Sequence, residues 1–154
     1  QSTLLTIGVG HDIKAEEKLL QLQPNVKLYG ADPITAINDD LYSKIGKFFP
    51  FAIGNETMKT TASVLTNETE FSEGAEYDIM EMFYRNNAFD GENIVFCQVN
   101  METHSPNKNQ KLQFIAFIKT IIREKKYVIL RSLTASHNRL YFVNIEDKYC
   151  LQKY

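Results

Sequence analysis

The stretch "LLTIGVGHDI", residues 4–13, runs Leu4, Leu5, Thr6 and Ile7 into Gly8 and Gly10, with His11 and Asp12 close behind. A continuous β-branched and apolar run of this kind has the character of a strand buried on both faces, over residues 3–9, and the glycines stop it. Residues 13–23, "IKAEEKLLQLQ", then place Ile13, Leu19, Leu20 and Leu22 on one side of a helix with charges opposite, and Pro24 with Asn25 ends it. A second strand, "VKLYGAD" at 26–32, completes a βαβ unit, so a parallel sheet is the economical inference. Right-handed crossover would set the ends of both strands along one rim.

Outward from this unit the alternation continues. Ile37, Leu41 and Ile45 predict a helix over 35–45, and "FFPFAIG" at 48–54 a strand, with Pro50 awkward inside it because proline donates no ladder hydrogen bond. "TASVL" at 61–65 has the make-up of a short strand, and 66–73 is polar and loop-like. Residues 74–86 predict a helix whose apolar side is Ile79, Met80, Met82 and Phe83, and "NIVFCQVNM" at 93–101 the next strand. Ser105 and Pro106 suit the cap and first turn of a long helix with Leu112, Ile115, Ile118 and Ile122 in line. The runs at 127–133 and 139–145 are close enough in sequence for an antiparallel hairpin.

At 154 residues the chain has room for one ordinary domain, and a net charge of -2 gives no reason to expect nucleic acid as a partner. No apolar window is long enough for a membrane span, so the chain is expected to make no membrane contact of its own. Cys97 lies in an apolar run and Cys150 near the end, without metal-type spacing, which predicts reduced, packed thiols. The sequons at Asn55 and Asn67 matter only in the secretory pathway. Because the chain begins with Gln1, a removed targeting segment is compatible with it, leaving cytoplasm and secretory lumen both open.

Three constellations could carry chemistry. Gly8 and Gly10 permit unusual backbone angles and close approach of a ligand, and Asp32, ending the second strand, can accept from the two hydroxyls of a ribose or else cap the helix after Pro33. His11 and Asp12 could meet the rest of such a ligand or simply open the helix. Along residues 95–104, period two puts Val95, Cys97, Val99 and Met101 on one face and brings Gln98, Asn100, Glu102 and His104 out on the other. His104 could take a proton from a hydroxyl while Glu102 orients it or the substrate, or both could only hold loop backbone. A metal site drawn from His11, Glu102, His104 and His137 fits on residue type, though its spacing matches no established motif and no metal is expected on that ground.

"TIGVGHD", "YGADP", "FAIGNE", "EGAEYDIM" and "CQVNMETHSP" follow in the order found in FkbM-type methyltransferases, and the chain resembles the nematode branch of that family over almost its whole length. The resemblance implies a Rossmann-like α/β sheet, three-layered and mostly parallel with a C-terminal antiparallel hairpin, in a single domain over 1–154. It implies S-adenosylmethionine as cofactor, with Gly8, Gly10, Asp32 and Glu73 beside it, and an oxygen of a small molecule or glycan as acceptor; the strand reading adds Glu102 and His104 as the catalytic candidates. Methyl transfer asks mainly for alignment and exclusion of water, so the lack of a catalytic triad is no objection. The departure from the pattern is specific. The family's apolar fourth strand should precede "EGAEYDIM", yet "TNETEFS" stands there, as though a segment were lost between Phe71 and Glu73. The chain therefore reads as a fragment or an internally shortened domain. Two rivals follow: a methyltransferase-like binding module without turnover, and a metal-dependent hydrolase using the histidines.

Overall fold

The structure, a computed structural model, describes residues 2–54, 75–134 and 137–153. The strand read at "TASVL", both sequons and Glu73 lie outside the described residues. The protein is mixed α/β and divides into two compact units, one built on Gln1–Ile53 and the other carrying the C-terminal part of the chain.

The first unit contains β1 (Thr3–Ile7), α1 (Lys14–Leu22), β2 (Lys27–Ala31), α2 (Thr35–Tyr42) and β3 (Lys47–Phe49). Its strands form a parallel sheet in the order β1-β2-β3, with Leu5 against Tyr29 and Tyr29 against Lys47. Crossovers of one hand stepping in the same direction deliver both helices to the same face. That face carries Leu4, Leu28 and Phe48, and it closes over a core with Ile13, Leu19, Leu20, Leu41 and the fully buried Tyr42. The Tyr42 ring lies against Gly30, where even a Cβ would come within 2.8 Å of it.

The other face of this sheet stays open, with Leu5 41% and Ile7 47% exposed. The expectation that the first strand is buried on both faces is therefore corrected, because both helices of this unit pack on the first face. Apolar faces shift in the helices too. Ile37 is exposed where Asn38 and Tyr42 go inside, and Leu22 is exposed where Glu16 is buried, held there by the Thr6 hydroxyl at 2.7 Å. The third strand ends at Phe49, directly before Pro50, as the missing N–H requires.

The second unit contains α3 (Ala75–Asp78), a 3-10 turn (Met80–Phe83), α4 (Ala88–Gly91), β4 (Gln98–Thr103), α5 (Lys108–Glu124), β5 (Tyr127–Thr134), β6 (Asn138–Asn144) and α6 (Lys148–Lys153). The single helix expected over 74–86 is broken into two short pieces. Tyr77, Met80 and Phe83 are all buried at intervals of three, a period that a 3-10 turn aligns on one side and an α-helix would smear around its axis.

The hairpin is antiparallel, as its spacing predicts, and β6 lies between its partners in the order β4-β6-β5. Met101, Leu140 and Phe142 point from this sheet into a core with Phe117, Ile121 and Tyr127. Asn107, rather than Ser105, caps α5: its side chain accepts from the Gln110 amide while the Gln110 side chain accepts from the Asn107 amide. The buried side of α5 is Phe117 and Ile121, flanked by Phe114 and Ile118, while Leu112 is 59% and Ile122 62% exposed. Apolar residues surround this helix, so spacing alone does not choose its face. The phenylalanine rings decide it, since Phe117 stacks with Tyr84 and meets Phe83 and Phe142 edge-on.

Two further expectations are corrected. The cysteines are joined as a Cys97–Cys150 disulfide and are not free thiols. Asn144 donates its backbone N–H to the Cys97 carbonyl at 2.8 Å, and the Asn144 and Asp147 side chains accept from the amides that turn the chain into α6, which sets Cys150 over Cys97. Nor do the strands join in one three-layered sheet: β1 pairs only with β2, and β4 only with β6, among the described residues. A sheet propagates through backbone pairing alone, and no described strand supplies the link.

Candidate functional site

The corner after β1 is held by backbone chemistry. Gly8 (φ 76°), Gly10 (φ 60°) and His11 (φ 60°) all occupy the left-handed region, open to glycine and uncommon for histidine. His11 is kept there by its N–H donating to Asn38 Oδ1 at 2.9 Å, and Gly8 N–H donates to the Ala31 carbonyl at 2.9 Å. Both glycines are exposed, and a Cβ on either would meet nothing within 4 Å, so the space above the corner is open.

Asp32 lies at the same corner, but turned into it. Its Oδ2 accepts from Val9 N at 2.9 Å and Gly10 N at 3.3 Å, and its Oδ1 from Ile34 N at 2.8 Å, leaving the residue 2% exposed. The carboxylate offered to a ribose in the sequence is thus occupied in tying the glycine turn to the start of α2. This is the helix-entry alternative, extended to the loop. Beneath it, the Tyr42 hydroxyl donates to the Tyr29 carbonyl at 3.0 Å and lies 3.1 Å from Thr6 Oγ1; burial pushes its phenol pKa up and keeps it a donor. Asp32→Ala strands several backbone N–H groups at once, the Val9 one buried, and is expected to lower unfolding free energy by about 2 to 3 kcal/mol. Urea denaturation checks this, and a loss under about 0.5 kcal/mol would show that the carboxylate does not hold the loop.

The second group belongs wholly to the C-terminal unit. The antiparallel register sets Glu102 against Arg139 and Thr103 against Asn138, so the next pair along the ladder is His104 and His137. Period two keeps Glu102, Arg139 and both imidazoles on the face turned away from Met101. The result is a cluster in which one ligand-type atom from each of Glu102, His104 and His137 lies within 4.8 Å of the others, with the imidazole centroids 4.5 Å apart. Arg139 pairs with Glu102 at 3.0 Å.

His104 is positioned from α3. Glu76 Oε1 accepts from the His104 backbone N–H at 2.7 Å and lies 3.3 Å from its Nδ1, and the Tyr77 hydroxyl donates to the His104 carbonyl at 2.6 Å. Burial raises the Tyr77 phenol pKa, which preserves that donor. With Nδ1 beside a carboxylate, Nε2 is the His104 nitrogen suited to a further contact. His137 Nδ1 is buried and has no hydrogen-bond partner among the described residues.

The structure therefore brings Gly8, Gly10 and Asp32 together in one unit, and Glu102, His104 and His137 together in the other. His11 falls in the first unit and outside the histidine cluster. Glu76 and Arg139 were not singled out in the sequence. Glu76 stands three residues beyond Glu73 in the same "EGAEYDIM" segment, a signal that was available; Arg139 follows only from the strand register. The chain matches no protein-family model, no curated protein and no solved structure.

Proposed function

We propose that the chain is a methyltransferase-type domain that takes S-adenosylmethionine at the Gly8–Gly10 corner and passes its methyl group to an oxygen of a small molecule or glycan. The observation that best supports this reading is the pair of strand orders. In the topology implied by the sequence resemblance, a fourth strand lies beside the first and the sheet closes on an antiparallel hairpin. The orders β1-β2-β3, all parallel, and β4-β6-β5, with β6 reversed, are the halves that would flank such a strand. Asp32 then shapes the turn against which the cofactor rests and does not itself meet the sugar.

In this reading the acceptor oxygen attacks the methyl carbon, its hydroxyl proton passes to a base of the kind the sequence offers in His104, and the sulfonium leaves as a neutral thioether. Glu76 holds the ring by Nδ1, and Arg139 holds Glu102 beside it. The disulfide favours an oxidising compartment, and of the two left open by the sequence that is the secretory lumen. Calorimetric titration with S-adenosylmethionine tests the reading. Binding at micromolar cofactor, weakened at least tenfold by Gly10→Val, is expected, because valine is strained at φ 60° and projects into the open space. No heat at millimolar cofactor with folded protein would overturn it.

A second reading, a module that binds without turnover, is favoured by the lack of any strand pairing that joins the two sheets among the described residues. Cofactor binding with no methyl transfer to any glycan or hydroxylated acceptor would select it.

A further inference from the structure

We propose that Glu102, His104 and His137 form a site for a borderline divalent transition metal, of which zinc is the representative, held by three protein ligands with a fourth position open. The inference stands on the C-terminal unit alone; with the ion bound, His104 Nε2 is its ligand and not a proton acceptor.

Three observations converge. The first is donor type and spacing: two imidazoles and one carboxylate supply atoms within 4.8 Å of one another. A tetrahedral ion with bonds of about 2.0 to 2.1 Å needs its donors about 3.3 Å apart, a closure within reach of side-chain rotation. The second is Glu76, 3.3 Å behind His104 Nδ1, which is the outer carboxylate that fixes the ring and raises the basicity of the opposite nitrogen in histidine metal sites. The third is His137 Nδ1. A buried ring nitrogen without a partner among the described residues is costly, and a metal bond would give it one.

The chemistry of the set selects the ion. Imidazole nitrogens suit zinc, cobalt, nickel or copper, whereas magnesium and calcium call for oxygen ligands. Arg139 remains compatible because Glu102 has two oxygens, and Arg139 lies 3.0 Å from one and 3.3 Å from the other. One oxygen can turn to the metal while the other keeps the cross-strand pair. Three protein ligands and an open position make a site of the kind that binds and acidifies a water or hydroxyl oxygen.

The test uses the whole chain, without a histidine tag, freed of metal by chelator and kept oxidised so that Cys97 and Cys150 offer no thiolate. Zinc chloride is titrated by calorimetry and cobalt chloride by visible absorption. One ion per chain is expected, with the intense visible bands of low-coordinate cobalt. His104→Ala and His137→Ala should each weaken zinc at least a hundredfold, and Glu76→Gln about tenfold, as the loss of an outer carboxylate does. If His104→Ala fails to fold, by circular dichroism, His137→Asn and Glu102→Gln carry the comparison. No zinc binding by the folded chain at 1 mM ion, weak octahedral cobalt spectra alone, or equal affinity in His137→Ala would overturn the proposal.

Discussion

Opening the Cys97–Cys150 bridge, by reductant or by the double change Cys97→Ala and Cys150→Ala, is expected to lower the unfolding free energy by about 4 kcal/mol. The bridge closes a loop with a sequence separation of 53, and the cost of ordering such a loop is removed from the unfolded chain as long as the sulfurs are joined. Cys150 is also 2% exposed, so α6 is anchored by this bond in a region where its other links are turn hydrogen bonds at Asn144 and Asp147. A loss of that size is a large part of the stability of an ordinary small domain, about 5 to 15 kcal/mol. Guanidinium unfolding with and without reductant measures it. A midpoint indifferent to reductant, or two thiols titrating in the native protein, would contradict the bridge and would remove the argument for an oxidising compartment.

Phe142→Ala is expected to cost about 4 kcal/mol, in the range for an aromatic ring deleted from a closed core. Phe142 is fully buried on β6, the middle strand of its sheet, and its ring lies 5.7 Å from Phe83, 5.8 Å from Phe117 and 5.3 Å from Tyr127. The removed ring has neighbours in the 3-10 turn, in α5 and in β5, so no single movement can fill the cavity. Phe142→Leu keeps most of the volume and should cost about 1 to 1.5 kcal/mol. A second readout is local. Burial, with the Asp90 carboxylate adding to it, pushes the Tyr127 phenol up to about 12, and a cavity beside the ring that admits water should bring its titration back toward the ordinary value. A loss below about 1 kcal/mol in Phe142→Ala would mean that this cluster does not organise the unit.

What the sequence made legible is what depends on local periodicity. The first five elements, from Thr3 to Phe49, follow from apolar spacing, glycine and proline, and the meeting of Asp32 with the Gly8–Gly10 turn follows from a parallel βαβ unit. What depended on competition among neighbours was not legible. Ser105 and Asn107 both qualify as caps, and the reciprocal bond with Gln110 decides for Asn107. Leu112, Ile115 and Ile122 make as good a stripe by spacing as Phe114, Phe117 and Ile121, and only the opposing rings favour the second. Long-range pairings were hidden for a different reason. The disulfide requires the turn at Asn144 and Asp147, and the nearness of His104 to His137 requires the register of β4 on β6, neither of which is a property of any short window. Asp32 shows the converse: its position was legible, while the direction of its carboxylate is set by three backbone N–H groups, of which the sequence signals only the one at the entry to α2.

The account rests on a cofactor seated at the glycine corner, and the amide resonances of Gly8, Val9, Gly10 and His11 report on it directly. In two-dimensional nitrogen–proton spectra of the folded chain, saturating S-adenosylmethionine should displace those four signals and their neighbours at Asp32 and Ile34. Spectra unchanged at millimolar cofactor, or shifts confined to the C-terminal unit, would contradict it.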